Sequence, residues 1–211
     1  MSAVDLQLAD ATSLEPSSVD SSLEHSRIGD SSLDPSQPEL SSPTDPTSWP
    51  KGGLLFATGG SGGHIYPAVA VARELAGRAH AVAFLGARDG MEARIVPAEG
   101  FAFHGVAAGK WDRGRPDPRQ GLRAARGLGQ AVRLLRATAP ALVVGFGGFA
   151  SFPGLAAARL LAVPYVLHEA NALPGGVVRL FARGAQAVAV SSEAARARLP
   201  GARRLEVSGF P

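Results

Sequence analysis

The chain of 211 residues contains no cysteine, which excludes disulfides and thiolate chemistry. Its formal charge of +3 hides a division: residues 1–50 hold nine carboxylates and one arginine, so the totals of 18 acidic and 21 basic residues leave residues 51–211 with 9 and 20. A basic domain points to polyanions (anionic lipid, phosphorylated substrate or nucleic acid), and no apolar run approaches the roughly 18 residues of a membrane-spanning helix.

Residues 1–50 are rich in Ser, Pro and Asp and almost free of aromatics. Such a segment buries too little apolar surface to offset the entropy of ordering, so it is expected to be a disordered tail. It has no basic start followed by an apolar core, so no secretory signal is expected. Residues 51–211 suffice for one α/β domain.

That domain opens on Leu54-Leu55-Phe56-Ala57, a buried strand by composition, followed by Thr58-Gly59-Gly60-Ser61-Gly62-Gly63-His64. A helix follows over 67–78, with Pro67 expected near its first turn. Glycines let the backbone approach a ligand, and the unpaired N–H groups at a helix start favour phosphate. Ser61 adds a hydroxyl and His64 a side chain that exchanges protons near neutrality. A tight turn that binds nothing is the plain alternative. The loop lacks the Lys-Ser/Thr of a Walker A and the G-x-G-x-x-G spacing of a dinucleotide site.

Apolar runs then alternate with helical patterns. Strands are expected at 54–57, 81–86, 101–106, 141–146, 164–168, 186–190 and 205–208, and further helices at 90–97, 119–138, 152–162, 174–182 and 192–199. Continuous rather than alternating apolar runs suit a sheet covered on both faces, so the fold class is α/β, a doubly wound parallel sheet of Rossmann type. Ligands of such sheets lie beyond the carboxyl ends of the strands.

Two further sites stand at such ends. Gly147-Gly148-Phe149-Ala150-Ser151-Phe152-Pro153-Gly154 leads into an alanine-rich helix that Ser151 is placed to cap. Val166-Leu167-His168-Glu169-Ala170-Asn171 ends a buried strand in polar residues. His168 and Glu169 read either as functional or as a bonded pair holding the next turn, and the Asn171 amide suits sugar hydroxyls. No His/Asp/Glu set has metal-ligand spacing.

The helix at 119–138 carries Arg119, Arg123, Arg126, Gln130 and Arg133 on one stripe, with Ala125, Leu128, Val132 and Leu135 expected on the core side. Leu122 and Trp111 lie near the basic stripe, a pattern that suits an anionic membrane surface as well as a plain solvated face. Nucleic acid is not expected, since no stacking aromatics accompany the charge.

Four motifs in this order resemble the MurG family of membrane-associated glycosyltransferases: Gly59 to His64 with Pro67, Met91-Glu92-Ala93 before Val96-Pro97, Gly147 to Gly154, and His168-Glu169-Ala170-Asn171. The resemblance covers residues 52–211. It implies the N-terminal domain of a two-domain GT-B enzyme that moves N-acetylglucosamine from UDP-N-acetylglucosamine to the 4-hydroxyl of lipid I, the undecaprenyl-diphosphate-linked acceptor, to give lipid II for peptidoglycan. By the same resemblance His64 matches the proposed general base, and Ser61, Gly62, Gly63 and Asn171 contact the donor. The glycine loops, Gly147 and Gly148 included, face the diphosphate region, and Ser151 and Glu169 join the substrate-binding residues. The enzyme would sit peripherally on the cytoplasmic face of the cell membrane, with no cofactor and no obligatory metal.

Phe149 stands where many relatives have Tyr, and Ala170 where Gln is usual. Val207-Ser208-Gly209-Phe210-Pro211 falls where relatives read Gly-Asn-Pro and continue into a donor-binding domain, which is therefore expected to be absent. The isolated chain should then be inactive: either it is a fragment or truncated product, or a partner supplies the C-terminal half. A split-enzyme acceptor subunit and a non-catalytic lipid-diphosphate-binding module are the alternatives.

Overall fold

The computed structural model describes residues 51–78, 80–109 and 117–211. The expectations for the tail, residues 1–50, and for Trp111 fall outside them.

Seven parallel strands form one sheet in the order β3-β2-β1-β4-β5-β6-β7. They are β1 (Leu54–Ala57), β2 (Val82–Ala87), β3 (Ala102–Val106), β4 (Leu142–Gly145), β5 (Tyr165–Glu169), β6 (Val188–Val190) and β7 (Leu205–Val207). The helices are α1 (Gly62–Gly77), α2 (Glu92–Ala98), α3 (Pro118–Thr138), α4 (Phe152–Leu160), α5 (Gly176–Phe181) and α6 (Glu193–Arg196). The doubly wound α/β class is as expected.

The crossover helices divide between the two faces of the sheet. Phe56, Phe84 and Phe146 pack with Ile65, Ala68, Val69 and Ala72 of α1 and Val96 of α2. Alternate strand residues, Leu55, Leu85, Val143 and Leu167, pack on the other face with Ala131 and Leu135 of α3, Leu155 of α4 and Phe181 of α5. The strands read as unbroken apolar runs because both of their faces are buried.

Three local expectations need correction. Helix α1 begins at Gly62, so Pro67 lies in its second turn, where its missing N–H forfeits the bond to the Gly63 carbonyl. Ser151 does not cap α4: its hydroxyl donates to the Gly148 carbonyl at 2.8 Å. On α3 Leu128, Val132 and Leu135 pack on the core as expected, with Gly127, Ala131 and Thr138 buried beside them, but Ala125 is exposed and Gln130 leaves the basic stripe to accept the Ala107 N–H at 2.8 Å. Small residues face inward because the helix lies close to β3 and α4: a Cβ on Gly127 would stand 1.8 Å from the Ala107 carbonyl oxygen.

Candidate active site

β1 and β4 are neighbours, but β1 leads on to β2 on one side while β4 leads on to β5 on the other. Their outgoing loops therefore part at the switch point of the sheet, which opens a crevice between them. The glycine loop 58–61 leaves β1, the loop 146–148 leaves β4, and Glu169 ends β5 beside them. Motifs some ninety to a hundred and ten residues apart thus meet at the ends of three successive strands of the sheet, β1, β4 and β5.

The two loops touch through their backbones. Gly148 has φ 75° and ψ 158°, a region open to glycine almost alone, and a Cβ there would stand 2.0 Å from the Gly59 carbonyl oxygen. The His64 imidazole fills the space beside this junction. A Cβ on Gly147 would lie 3.4 Å from its Nε2, and one on Gly148 3.4 Å from its Nδ1. Ser61 Oγ is 2.7 Å from Nδ1, and Thr58 Oγ1 donates to the His64 carbonyl at 2.8 Å. Partial burial holds the His64 pKa below the ordinary imidazole value, against the smaller opposing pull of the Glu169 carboxylate. The ring is therefore neutral at pH 7 and free to accept a proton.

At the start of α1, Ser61 and Gly62 are half-buried and Gly63 is exposed. Their backbone N–H groups have no partner among the described residues. They are donors left open at the positive end of a 16-residue helix.

Glu169 is 2 % exposed. Its Oε1 accepts from the backbone N–H and the side-chain amide of Asn171 at 2.8 and 2.9 Å, and its Oε2 from Gly175 N–H at 2.7 Å. Glu169 thus does hold the next turn, but not with His168. It positions Asn171, which is exposed and keeps its amide oxygen for a ligand. Ser151 is fully buried and braces Gly148.

The His168 ring lies 5.5 Å from that of Phe146, against an apolar cavity of about 390 Å³, and neither ring nitrogen makes a hydrogen bond. The Gly209 backbone approaches without completing one; it favours protonation, but burial outweighs it and lowers the pKa. Gly60 faces Phe149, whose ring would lie 2.9 Å from a Cβ there.

A further residue escaped sequence reasoning. Glu92 is fully buried beneath the first loop, where Oε2 accepts Gly60 N–H at 3.2 Å and Oε1 accepts Ala87 N–H at 2.8 Å. The sequence signal was its place within the Met91-Glu92-Ala93 motif, which named the residue without a role.

Arg119, Arg123, Arg126 and Arg133 are exposed along α3, and Leu122 is 74 % exposed among them. Arg123 pairs with Asp89, whose pKa its guanidinium lowers through that hydrogen bond.

A crevice at the switch point of a parallel sheet, lined by two glycine loops with His64 beside them, is where doubly wound α/β folds hold their ligands. The pattern of the glycosyltransferase family 28 N-terminal domain matches residues 54–190, and the chain belongs to that family. Among relatives, the UDP-N-acetylglucosamine--N-acetylmuramyl-(pentapeptide) pyrophosphoryl-undecaprenol N-acetylglucosamine transferase of Deinococcus radiodurans is 56% identical over 138 residues, 64% of this chain and 35% of the relative. The enzyme of the same name from Thermus thermophilus is 42% identical over 158 residues, 75% of this chain and 46% of the relative. The crystal structure of Acinetobacter baumannii MurG superposes with a TM-score of 0.64 at 28% identity, covering 76% of this chain and 46% of that one. The MurG resemblance and the GT-B fold expectation are thereby borne out. The chain spans less than half the length of these relatives.

Proposed function

We propose that this chain is the acceptor-binding domain of an inverting N-acetylglucosaminyltransferase, which joins N-acetylglucosamine from UDP-N-acetylglucosamine to the 4-hydroxyl of lipid I. The observation that carries this reading is the meeting of His64, the amides of Ser61–Gly63 and the Glu169–Asn171 pair at the ends of β1 and β5, beside β4. Relatives of this family bear the name of that transferase.

In this account Nδ1–H of His64 donates to Ser61 Oγ, which leaves Nε2 as the free acceptor. Nε2 takes the proton of the acceptor hydroxyl as its oxygen bonds to the sugar C1. The bond from C1 to the UDP oxygen breaks at the same time, and UDP leaves as the anion. Charge gathering on the diphosphate meets the loop amides and the start of α1, donors already fixed before reaction. Asn171, held by Glu169, offers an amide to the donor sugar.

The donor-binding half, in the same polypeptide or a separate one, forms the other wall of the crevice, and without it water stays in the site. The basic face of α3 docks on the anionic cytoplasmic surface of the membrane, where the lipid acceptor lies. No helix among the described residues is long and apolar enough to cross a membrane, so attachment is peripheral in this reading. The test is titration of the chain with a short-chain lipid I analogue, followed by amide shifts. Shifts at Ser61–Gly63, Gly147 and Gly148 are expected; shifts confined to other surfaces would refute the site.

A further inference from the structure

Glu92 presents a contradiction. A buried carboxylate lies directly under a loop whose other amides are arranged to receive an anion. By charge alone it opposes the ligand. Yet the fold makes room for it with care: a Cβ on Gly59, Gly86 or Gly90 would stand 2.1, 2.7 or 2.5 Å from its side-chain atoms. These glycines come from three separate segments, the first loop, strand β2 and the turn before α2, and together they form a slot that only a side chain reaching in from α2 occupies.

The two hydrogen bonds tie that slot to the loop. Oε1 is anchored on Ala87 N–H at the end of β2, a rigid element, and Oε2 holds Gly60 N–H of the loop. Gly59 and Gly60 adopt φ of 137° and 89°, and Glu92 occupies the place where a Gly59 side chain would stand. The amides of Ser61, Gly62 and Gly63 follow directly, without a partner among the described residues. A carboxylate accepts at both oxygens, whereas an amide of the same shape accepts at one and opposes the second N–H with its own.

We propose that Glu92 is a positioning residue for the diphosphate site: it uses up the Gly60 amide and fixes the loop so that the next three amides converge on the anion. The proposal rests on the diphosphate reading above. It predicts a sign opposite to simple electrostatics, because removing a negative charge next to an anion site should otherwise tighten binding.

The experiment uses the full 211-residue chain with inorganic pyrophosphate as probe, read by amide shifts of Ser61–Gly63 and by thermal unfolding. E92Q is compared with V96A, since Val96 is fully buried in the same helix, and its truncation lowers stability without touching the loop. E92Q should weaken pyrophosphate binding about tenfold or more, the loss of a charge-assisted hold on one loop amide, while V96A at similar stability binds as the parent does. Should E92Q not fold, E92D serves: it keeps the charge but draws the oxygens back by about 1.5 Å, and it should weaken binding likewise. Binding unchanged or tightened in E92Q, or lowered equally in V96A, overturns the proposal alone. A parent chain that gives no pyrophosphate response overturns the diphosphate reading, and this proposal with it.

Discussion

Replacing Gly148 by alanine probes the junction on which the site depends. Its φ of 75° with ψ 158° is nearly closed to residues with a side chain, at a cost of about 1–3 kcal/mol. The added Cβ would stand 2.0 Å from the Gly59 carbonyl oxygen, which is backbone and has no rotamer to escape into. Separating them to ordinary contact displaces one loop by more than an ångström, and such overpacking costs a further ~1–3 kcal/mol. Together the change should cost about 2–6 kcal/mol, a large part of the roughly 5–15 kcal/mol that holds a domain folded. Gly129→Ala is the matched control: it lies exposed in α3 with nothing within 4 Å of the new Cβ, and should gain about 0.5–1 kcal/mol. Urea unfolding of both variants with a common slope makes the comparison. A Gly148→Ala protein within about 0.5 kcal/mol of the parent would refute the claim that the loops are locked together.

Further expectations concern pH, backbone, hydrogen bonding and the membrane. His64, His104 and His168 all have pKa values lowered by burial, so between those values and the ordinary 6.5 the unfolded chain binds more protons than the folded one. Stability should therefore be full above that pH and fall as pH drops below it; a flat urea midpoint from pH 7.5 to about 5 would contradict this. Ala139 caps α3 in a left-handed conformation, φ 43°, and Ala139→Gly should raise stability by about 0.5–1 kcal/mol, read as a higher melting temperature. Tyr165→Phe removes a buried bond to the Phe181 carbonyl and should cost about 1–3 kcal/mol in urea unfolding. Changing Arg119, Arg123, Arg126 and Arg133 to Gln should weaken sedimentation with anionic vesicles, by on the order of 1 kcal/mol per residue, and added salt should do the same to the parent. Equal binding to neutral vesicles would leave α3 a solvated face.

The strands were legible because two-sided burial writes itself as unbroken runs such as Val82-Ala83-Phe84-Leu85, and their order placed the motifs at one edge. The inner face of α3 was read in part: Leu128, Val132 and Leu135 do pack on the core, but close approach to Ala107 and Pro153 also seats Gly127 there, which hydrophobicity does not flag, and leaves Ala125 outside. Glu92 was legible as a member of the Met91-Glu92-Ala93 motif, but its role was not. Its burial depends on Gly86 and Gly90 just upstream and on the distant Gly59, which no local pattern brings to it. The split of roles within His168-Glu169 was equally hidden: one carboxylate satisfies three N–H groups, while the neighbouring ring faces an apolar cavity.

The transfer reaction itself is the most direct test. The chain is joined to the remaining C-terminal portion of the Deinococcus radiodurans relative, and conversion of lipid I and UDP-N-acetylglucosamine to lipid II is followed with UDP release. The chimera should turn over, and His64→Ala in the same chimera should lower kcat by roughly 10²-fold or more while still binding the acceptor. A folded chimera whose His64→Ala variant transfers sugar at the parent rate would contradict the assignment of His64 as the base on which the account rests.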